Sequence, residues 1–207
     1  MLCLPSVAEQ WQSVPTDSQL NYAVTFQGLP IEGRFTQFSV DYSPTEKLLV
    51  KVAVGSADMS DDELNSEIAG VDWFDVGRFG EATFNSESLA PYKSSEAEFD
   101  SELDSELDSE LDSELDSEFV AEGSLELKGT SQPVNVPFSW QQDPVDSNRA
   151  TMSGELVLKR SDFSIGIGDW SSGEQIGIDV SVSFTVVMQK QKQKQDQGQG
   201  QGQEPEN

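Results

Sequence analysis

The sequence contains no histidine. That removes the commonest general base and the commonest metal ligand, so neither a Ser-His-Asp nor a Cys-His arrangement can be assembled. A single cysteine, Cys3, excludes an internal disulfide and any cysteine-rich zinc site. Basic residues are scarce: 12 Lys and Arg stand against 38 Asp and Glu, for a formal charge of -26. Such a surface repels phosphate backbones and anionic membrane faces, which argues against nucleic acid as a partner. No apolar run approaches the ~20 residues of a membrane helix, so stable membrane insertion is not expected. Carboxylates abound, yet no Gly-rich phosphate loop or base-nucleophile pair singles out a catalytic site. The chain reads as a non-enzyme with no cofactor.

The densest acidity lies in DSELDSELDSELDSELDSEF, residues 100 to 119, a four-residue unit written five times. From Glu96 to Glu118 there are 12 acids and no bases, so the remainder still carries -26 + 12 = -14. The acidity is therefore global. As a helix the repeat stacks Asp over Asp and Glu over Glu at i,i+4, which destabilises every turn. EF-hand spacing fails too, because the central Gly is missing and Leu falls where the bidentate acid belongs. The segment 96–119 reads as an insertion of even length, which leaves the alternation downstream in register. Residues 190–207, rich in Gln and Gly, have nothing to bury and read as a disordered tail. At the other end, Ser6-Val7-Ala8 has the small-x-small form of a signal-peptidase site. Residues 1–10 are thus either the remnant of a secretory signal or a plain N-terminal extension.

Between these ends the chain runs in period two. Tyr22, Val24 and Phe26 alternate with Ala23 and Thr25, and Leu48, Val50, Val52 and Val54 with Leu49, Lys51 and Ala53. Phe119, Ala121, Gly123, Leu125 and Leu127 share one face, as do Val134, Val136, Phe138 and Trp140. The longest series is Ile176, Ile178, Val180, Val182, Phe184, Val186 and Met188. Such alternation means antiparallel strands with one buried face. With weaker runs at 33–42, 81–88 and 150–160, about eight strands are expected, closed into a barrel or folded as a sandwich. One short helix is expected near Asp61-Asp62-Glu63, with Ser60 as N-cap and Gly70 as its stop.

Four stretches carry a family resemblance. They are Gly28-Leu-Pro-Ile-Glu-Gly-Arg-Phe35, the segment from Ile68 through Trp73-Phe74 to Phe84-Asn85-Ser86, the hairpin Gly123 to Pro137, and Lys159-Arg-Ser-Asp-Phe-Ser-Ile-Gly-Ile-Gly-Asp-Trp170. In this order and register they resemble the YceI-like family, secreted bacterial lipocalin-like barrels that bind isoprenoid lipids. Asn21-Tyr22-Ala23 lacks the His that many members carry there, and Gly80 stands in place of the usual Pro. The resemblance implies an all-β fold over residues 11–189: an eight-stranded antiparallel lipocalin-like barrel with one short helix.

The function implied is periplasmic binding, storage or transport of a long-chain isoprenoid, quinone or polyprenyl in type. Phe26, Phe35, Val52, Phe84, Leu125, Phe138, Phe163, Ile165 and Trp170 would contact the lipid tail. Arg34 and Arg160 are candidates for its polar head, each with a salt bridge as the ordinary alternative. Asp162 is a possible partner for Arg160 or a turn cap. The partner expected is the lipid itself, with a homodimer also allowed. Alternation alone favours the same apolar residues filling a core, which would leave an acidic surface-interaction or weak Ca²⁺-binding protein; the resemblance reverses that preference.

Overall fold

The computed structural model describes residues 9–43, 47–91 and 117–191, with only the backbone given for Ser117. The DSEL copies before Ser117 lie outside the described residues, as do 1–8 and the Gln/Gly-rich segment from 192 onward. Among the described residues there are eleven strands and one α-helix. In chain order they are β1 (Trp11–Ser13), β2 (Gln19–Phe26), β3 (Leu29–Phe35), β4 (Phe38–Tyr42), β5 (Leu48–Ala53), β6 (Ala57–Asp58), α1 (Asp62–Ile68), β7 (Glu81–Pro91), β8 (Ser117–Leu127), β9 (Thr130–Gln142), β10 (Arg149–Lys159) and β11 (Ile176–Lys190).

These make eight staves, because the first six strands are three interrupted pairs. β1 and β2 both pair with β11, β4 pairs with β1 and β3 with β2, and β5 and β6 continue that break. The remaining neighbours follow sequence order from β7 to β11, and the β1–β11 pairing closes the sheet. The result is a closed, eight-stranded antiparallel barrel. Closure leaves no long edge open to other chains.

The predicted alternation places the side chains with two local exceptions. β11 runs against β10 without interruption, but its register with β2 shifts between Ile176 and Val180. From Ile176 to Val180 is four residues, against two from Phe26 to Val24, so β11 bulges by two. Ile176 and Val180 still face inward; Ile178, expected among them, is not on the cavity wall. A second bulge lies on β7, between Ser86 and Ser88. β8 begins inside the last repeat copy, with Phe119 opposite both Pro91 and Phe138.

The short helix is where the sequence places it, but its cap is Asp61. That carboxylate accepts from the N–H groups of Glu63 and Leu64, both at 2.9 Å. Ser60 cannot serve, since it sits in a left-handed turn (φ 59°) while Asp61 has the extended backbone an N-cap needs.

Candidate functional site

The two ends of the barrel are packed differently. At the end where β1 starts and β11 finishes, aromatic rings form a plug. Trp140 lies 5.1 Å from Trp11 and 4.8 Å from Tyr42, and Phe119 stacks on Phe138 at 5.5 Å. Trp11, Tyr42, Phe138, Met152 and Met188 are all buried in this cluster. Phe138 is therefore part of the stopper rather than of any ligand-accessible wall.

Above the plug the barrel is hollow. A cavity of about 500 Å³ is lined by apolar side chains from nearly every stave, among them Val24, Val40, Val50, Val136, Leu156 and Val182. Expected contacts Phe26, Phe35, Val52, Phe84, Leu125, Phe163, Ile165 and Trp170 all stand on this wall, and so does Arg160. Phe138 and Arg34 do not. The barrel is thus not filled by its own side chains. The room does not come from the strand glycines. A Cβ on Gly154 would meet the Phe184 ring at 2.6 Å, and one on Gly123 would strike the Asn85 carbonyl oxygen at 2.2 Å. Both positions relieve close backbone approaches. The space comes instead from the spread of eight staves around medium-sized Val and Leu side chains.

The end opposite the plug is roofed by α1 and by two connections, residues 69–80 and 160–175. Trp73, Phe163 and Ile165 are its buried members, with Ile68, Phe74, Leu127 and Trp170 packed against them. Leu64 and Glu67 of α1 line the cavity yet are exposed. Since the other described lining residues are buried or half-buried, the entrance lies beside α1.

Arg160 holds the roof together. It is 4% exposed, and its five N–H groups go to five backbone carbonyls. Nε donates to Gly177, Nη1 to Ile165 and Gly166, and Nη2 to Trp170 and Ile176, at 2.5–2.9 Å. Neither expected role fits this geometry: among the described residues no carboxylate pairs with it, Asp162 included, and its five donors are taken by carbonyls. A guanidinium carries five donors in a fixed fork, and here the fork is saturated. Burial lowers its pKa, but an arginine stays charged, so the carbonyl dipoles do the work of a counter-ion. Gly166 is required by this arrangement. Its φ is +67°, and a Cβ there would lie 2.3 Å from Nη1 of Arg160.

Lys128, in the β8–β9 turn, ties the two connections to each other through the carbonyls of Val71 (3.0 Å) and Ser164 (2.8 Å). Arg34 lies outside, in an exposed ion pair with Asp58 at 2.9 Å. Asp58 is held below the usual carboxylate range by the Ser60 N–H and then by Arg34.

Two polar atoms of the cavity-lining side chains have no partner among the described residues: the Tyr22 hydroxyl and the Trp73 indole nitrogen. Sequence reading missed both as site residues. The Tyr22 ring lies over Gly33, where a Cβ would come within 2.4 Å. A buried donor left without an acceptor costs about 1–3 kcal/mol.

A closed antiparallel barrel, stoppered at one end and hollow and apolar above, defines a lipocalin-like architecture. The match to known proteins is more specific: residues 11–188 fit the YceI-like domain model, and the chain belongs to the YceI-like family. A UPF0312 protein of Vibrio campbellii is 27% identical over 158 residues, 72% of either chain. BcnA of Burkholderia cenocepacia superposes with a TM-score of 0.68 at 26% identity, covering 84% of this chain and 98% of its own. A polyisoprenoid-binding domain from Saccharophagus degradans has the same fold, with a TM-score of 0.64 at 15% identity over 87% and 98% of the two chains.

Proposed function

We propose that this protein binds, and so stores or carries, one long-chain isoprenoid or similar lipid inside its barrel, and that it does so in the periplasm. The cavity carries this reading. An empty apolar space costs roughly 24 cal/mol per Å³ in forgone packing, so about 500 Å³ left vacant forfeits on the order of 10 kcal/mol. That is as large as the whole stability of a typical domain. A fold that keeps such a space is built to have it filled by something apolar. Each methylene moved from water onto the wall contributes roughly 0.8 kcal/mol, so a chain of isoprene units gains enough to offset large ordering costs. The polyisoprenoid-binding neighbour in Saccharophagus degradans supports this class of ligand.

We read the function as carriage rather than chemistry, because the cavity wall is almost entirely carbon. The small-x-small stretch at Ser6-Val7-Ala8 supports export, and fractionation of cells expressing the gene from its native start tests that: recovery in the cytosol contradicts it.

Binding itself is tested by thermal denaturation of lipid-stripped protein with and without an added prenyl lipid. A ligand at 100 times its Kd stabilises by ~2.7 kcal/mol. For a domain of this size that raises Tm by about 5–10 °C. An unchanged Tm with any prenyl or acyl chain contradicts the proposal.

A further inference from the structure

The wall of the barrel is not sealed evenly. β8 pairs with β9 along all of its length, from Ser117–Trp140 to Leu127–Thr130, and β10 pairs with β11 in the same way, from Arg149–Gln189 to Lys159–Asp179. Between β9 and β10 the ladder is short. It runs from Ala150–Gln142 to Ser153–Ser139 and stops there, although β9 begins at Thr130 and β10 ends at Lys159. Continued in the same register, Glu155 to Lys159 would face Pro137 to Pro133, and none of these rungs forms. At about 3.4 Å per residue the unladdered stretch is roughly 17 Å long.

Two prolines account for the gap. In an antiparallel sheet alternate residues of a strand turn their N–H groups to one neighbour and the rest to the other. Pro133 and Pro137, four apart, belong to the same set. The β8–β9 register runs through both without a shift, so the donors they lack belong to the side facing β10. Along the gap only Asn135 of β9 has an N–H on that side. Just past the last rung the strands are pinched at Gly154, where a Cβ would lie 2.3 Å from the Pro137 carbonyl oxygen. The hydroxyls of Ser139 and Ser153, 2.9 Å apart, join the strands at the laddered end. At the roof end Gln132 Nε2 donates to the Asp162 carbonyl at 3.1 Å.

The gap lies over the hollow. Val136 on one lip, and Leu156 and Leu158 on the other, line the cavity. On the outside, Val157 is 59% exposed, and Asn135 is exposed as well. Parting these lips breaks no backbone rung, whereas opening β8–β9 or β10–β11 breaks a full ladder at about 0.5–1.5 kcal/mol per bond. Each lip is also braced by its laddered neighbour, β9 by β8 and β10 by β11. The roof, in contrast, is tied down by Arg160 and Lys128.

We propose that the wall parts between β9 and β10, and that this slit is a second way, besides the mouth beside α1, by which a ligand chain enters and leaves the cavity. This rests on the lipid-binding reading above and says how such a ligand is exchanged. The ladder ending at Ser139 and Ser153 is the hinge, and the Gln132–Asp162 bond is the latch.

The test follows one probe, a dansyl-labelled geranylgeranyl chain, as it leaves the full-length protein for phosphatidylcholine vesicles in a stopped-flow instrument. Asn135→Cys and Val157→Cys, in a Cys3→Ser background, are joined by a bis-maleimide whose linker contains a cleavable disulfide. Release should slow by about tenfold or more, while equilibrium affinity stays within about twofold, and cleaving the linker should restore the wild-type rate. Gln132→Ala, which frees the latch, should release the probe about threefold faster or more. As a control, the same linker between Glu122→Cys and Asn135→Cys spans a laddered β8–β9 pair and should leave the rate unchanged. A locked protein that releases the probe at the wild-type rate overturns the slit. Equal slowing by the control linker does so too, since it marks general stiffening of the wall. In both cases the probe is still bound and the lipid-binding reading stands; a wild type that never takes up the probe defeats both.

Discussion

The guanidinium of Arg160 lies 5.7 Å over the ring of Trp73, and both belong to the roof that closes the cavity. One side chain thereby fixes the loop between β10 and β11 and supports the indole whose N–H lacks a partner. Because its donors are saturated by carbonyls, Arg160 organises the binding site without offering it a charge.

Removing that side chain should unravel the roof. Arg160→Met takes the guanidinium donors from five carbonyls, in two buried and three part-buried bonds, and hydrogen bonds to a charged group are worth about 1.5–3 kcal/mol each before relaxation. We expect a loss of at least ~3 kcal/mol, read by urea denaturation. Arg160→Lys should recover little, since three rotatable donors cannot reach five fixed acceptors. A change below 1 kcal/mol for either would show that the loop holds itself.

Gly166→Ala tests the same clasp from the other side. Left-handed backbone strain and the 2.3 Å approach to Nη1 act together, so a loss of about 2 kcal/mol is expected. In contrast, Gly77→Ala on the neighbouring connection meets nothing within 4 Å and should be close to neutral by the same denaturation assay.

Filling the cavity should separate binding from stability. Val182→Phe puts a ring into the hollow part of the wall. In a well-packed core such a change costs about 1–3 kcal/mol; here the lipid-free protein should melt at the same or a higher temperature while lipid affinity falls about tenfold or more.

Tyr22 predicts a pH dependence. The unfolded phenol titrates near 10.0, whereas burial first, and the Asp58 charge second, push the folded one up to about 12. The folded state therefore holds its proton more tightly, and stability present below pH 10 is lost as pH rises toward 12. Tyr22→Phe should flatten that part of the stability–pH curve, and ultraviolet titration should show a late-ionising phenol in the wild type that is missing from Tyr22→Phe, beside Tyr42, which burial also raises. Parallel curves for the two proteins above pH 10 would contradict the burial of Tyr22.

Much of this was legible in the sequence because period-two alternation reports which face of a strand is buried. That is why Phe26, Val52, Phe84 and Leu125 could be placed on the wall before any coordinates. Alternation says nothing about how far along a stave the hollow extends, so Phe138 was placed with them although it belongs to the plug. It also cannot register a bulge, which displaced Ile178. Arg160 was found through its motif, but its role depends on carbonyls from residues 165 to 177, whose directions only the folded loop defines. Tyr22 and Trp73 gave no signal at all: an unsatisfied atom is a property of its surroundings.

Among the described residues, the DSEL repeat contributes the start of β8 from its last copy. β7 and β8 are in register out to Pro91–Phe119, so deleting residues 100–115, four whole copies, should leave both Tm and lipid affinity unchanged. Loss of either would give the repeat a structural role.

The most direct measurement is native mass spectrometry of the full chain purified from a bacterial host without detergent, followed by organic extraction of the bound material. One long-chain prenyl lipid per barrel is the expected result, released on unfolding. Protein of apoprotein mass across several growth conditions, still cooperatively folded, would contradict lipid carriage.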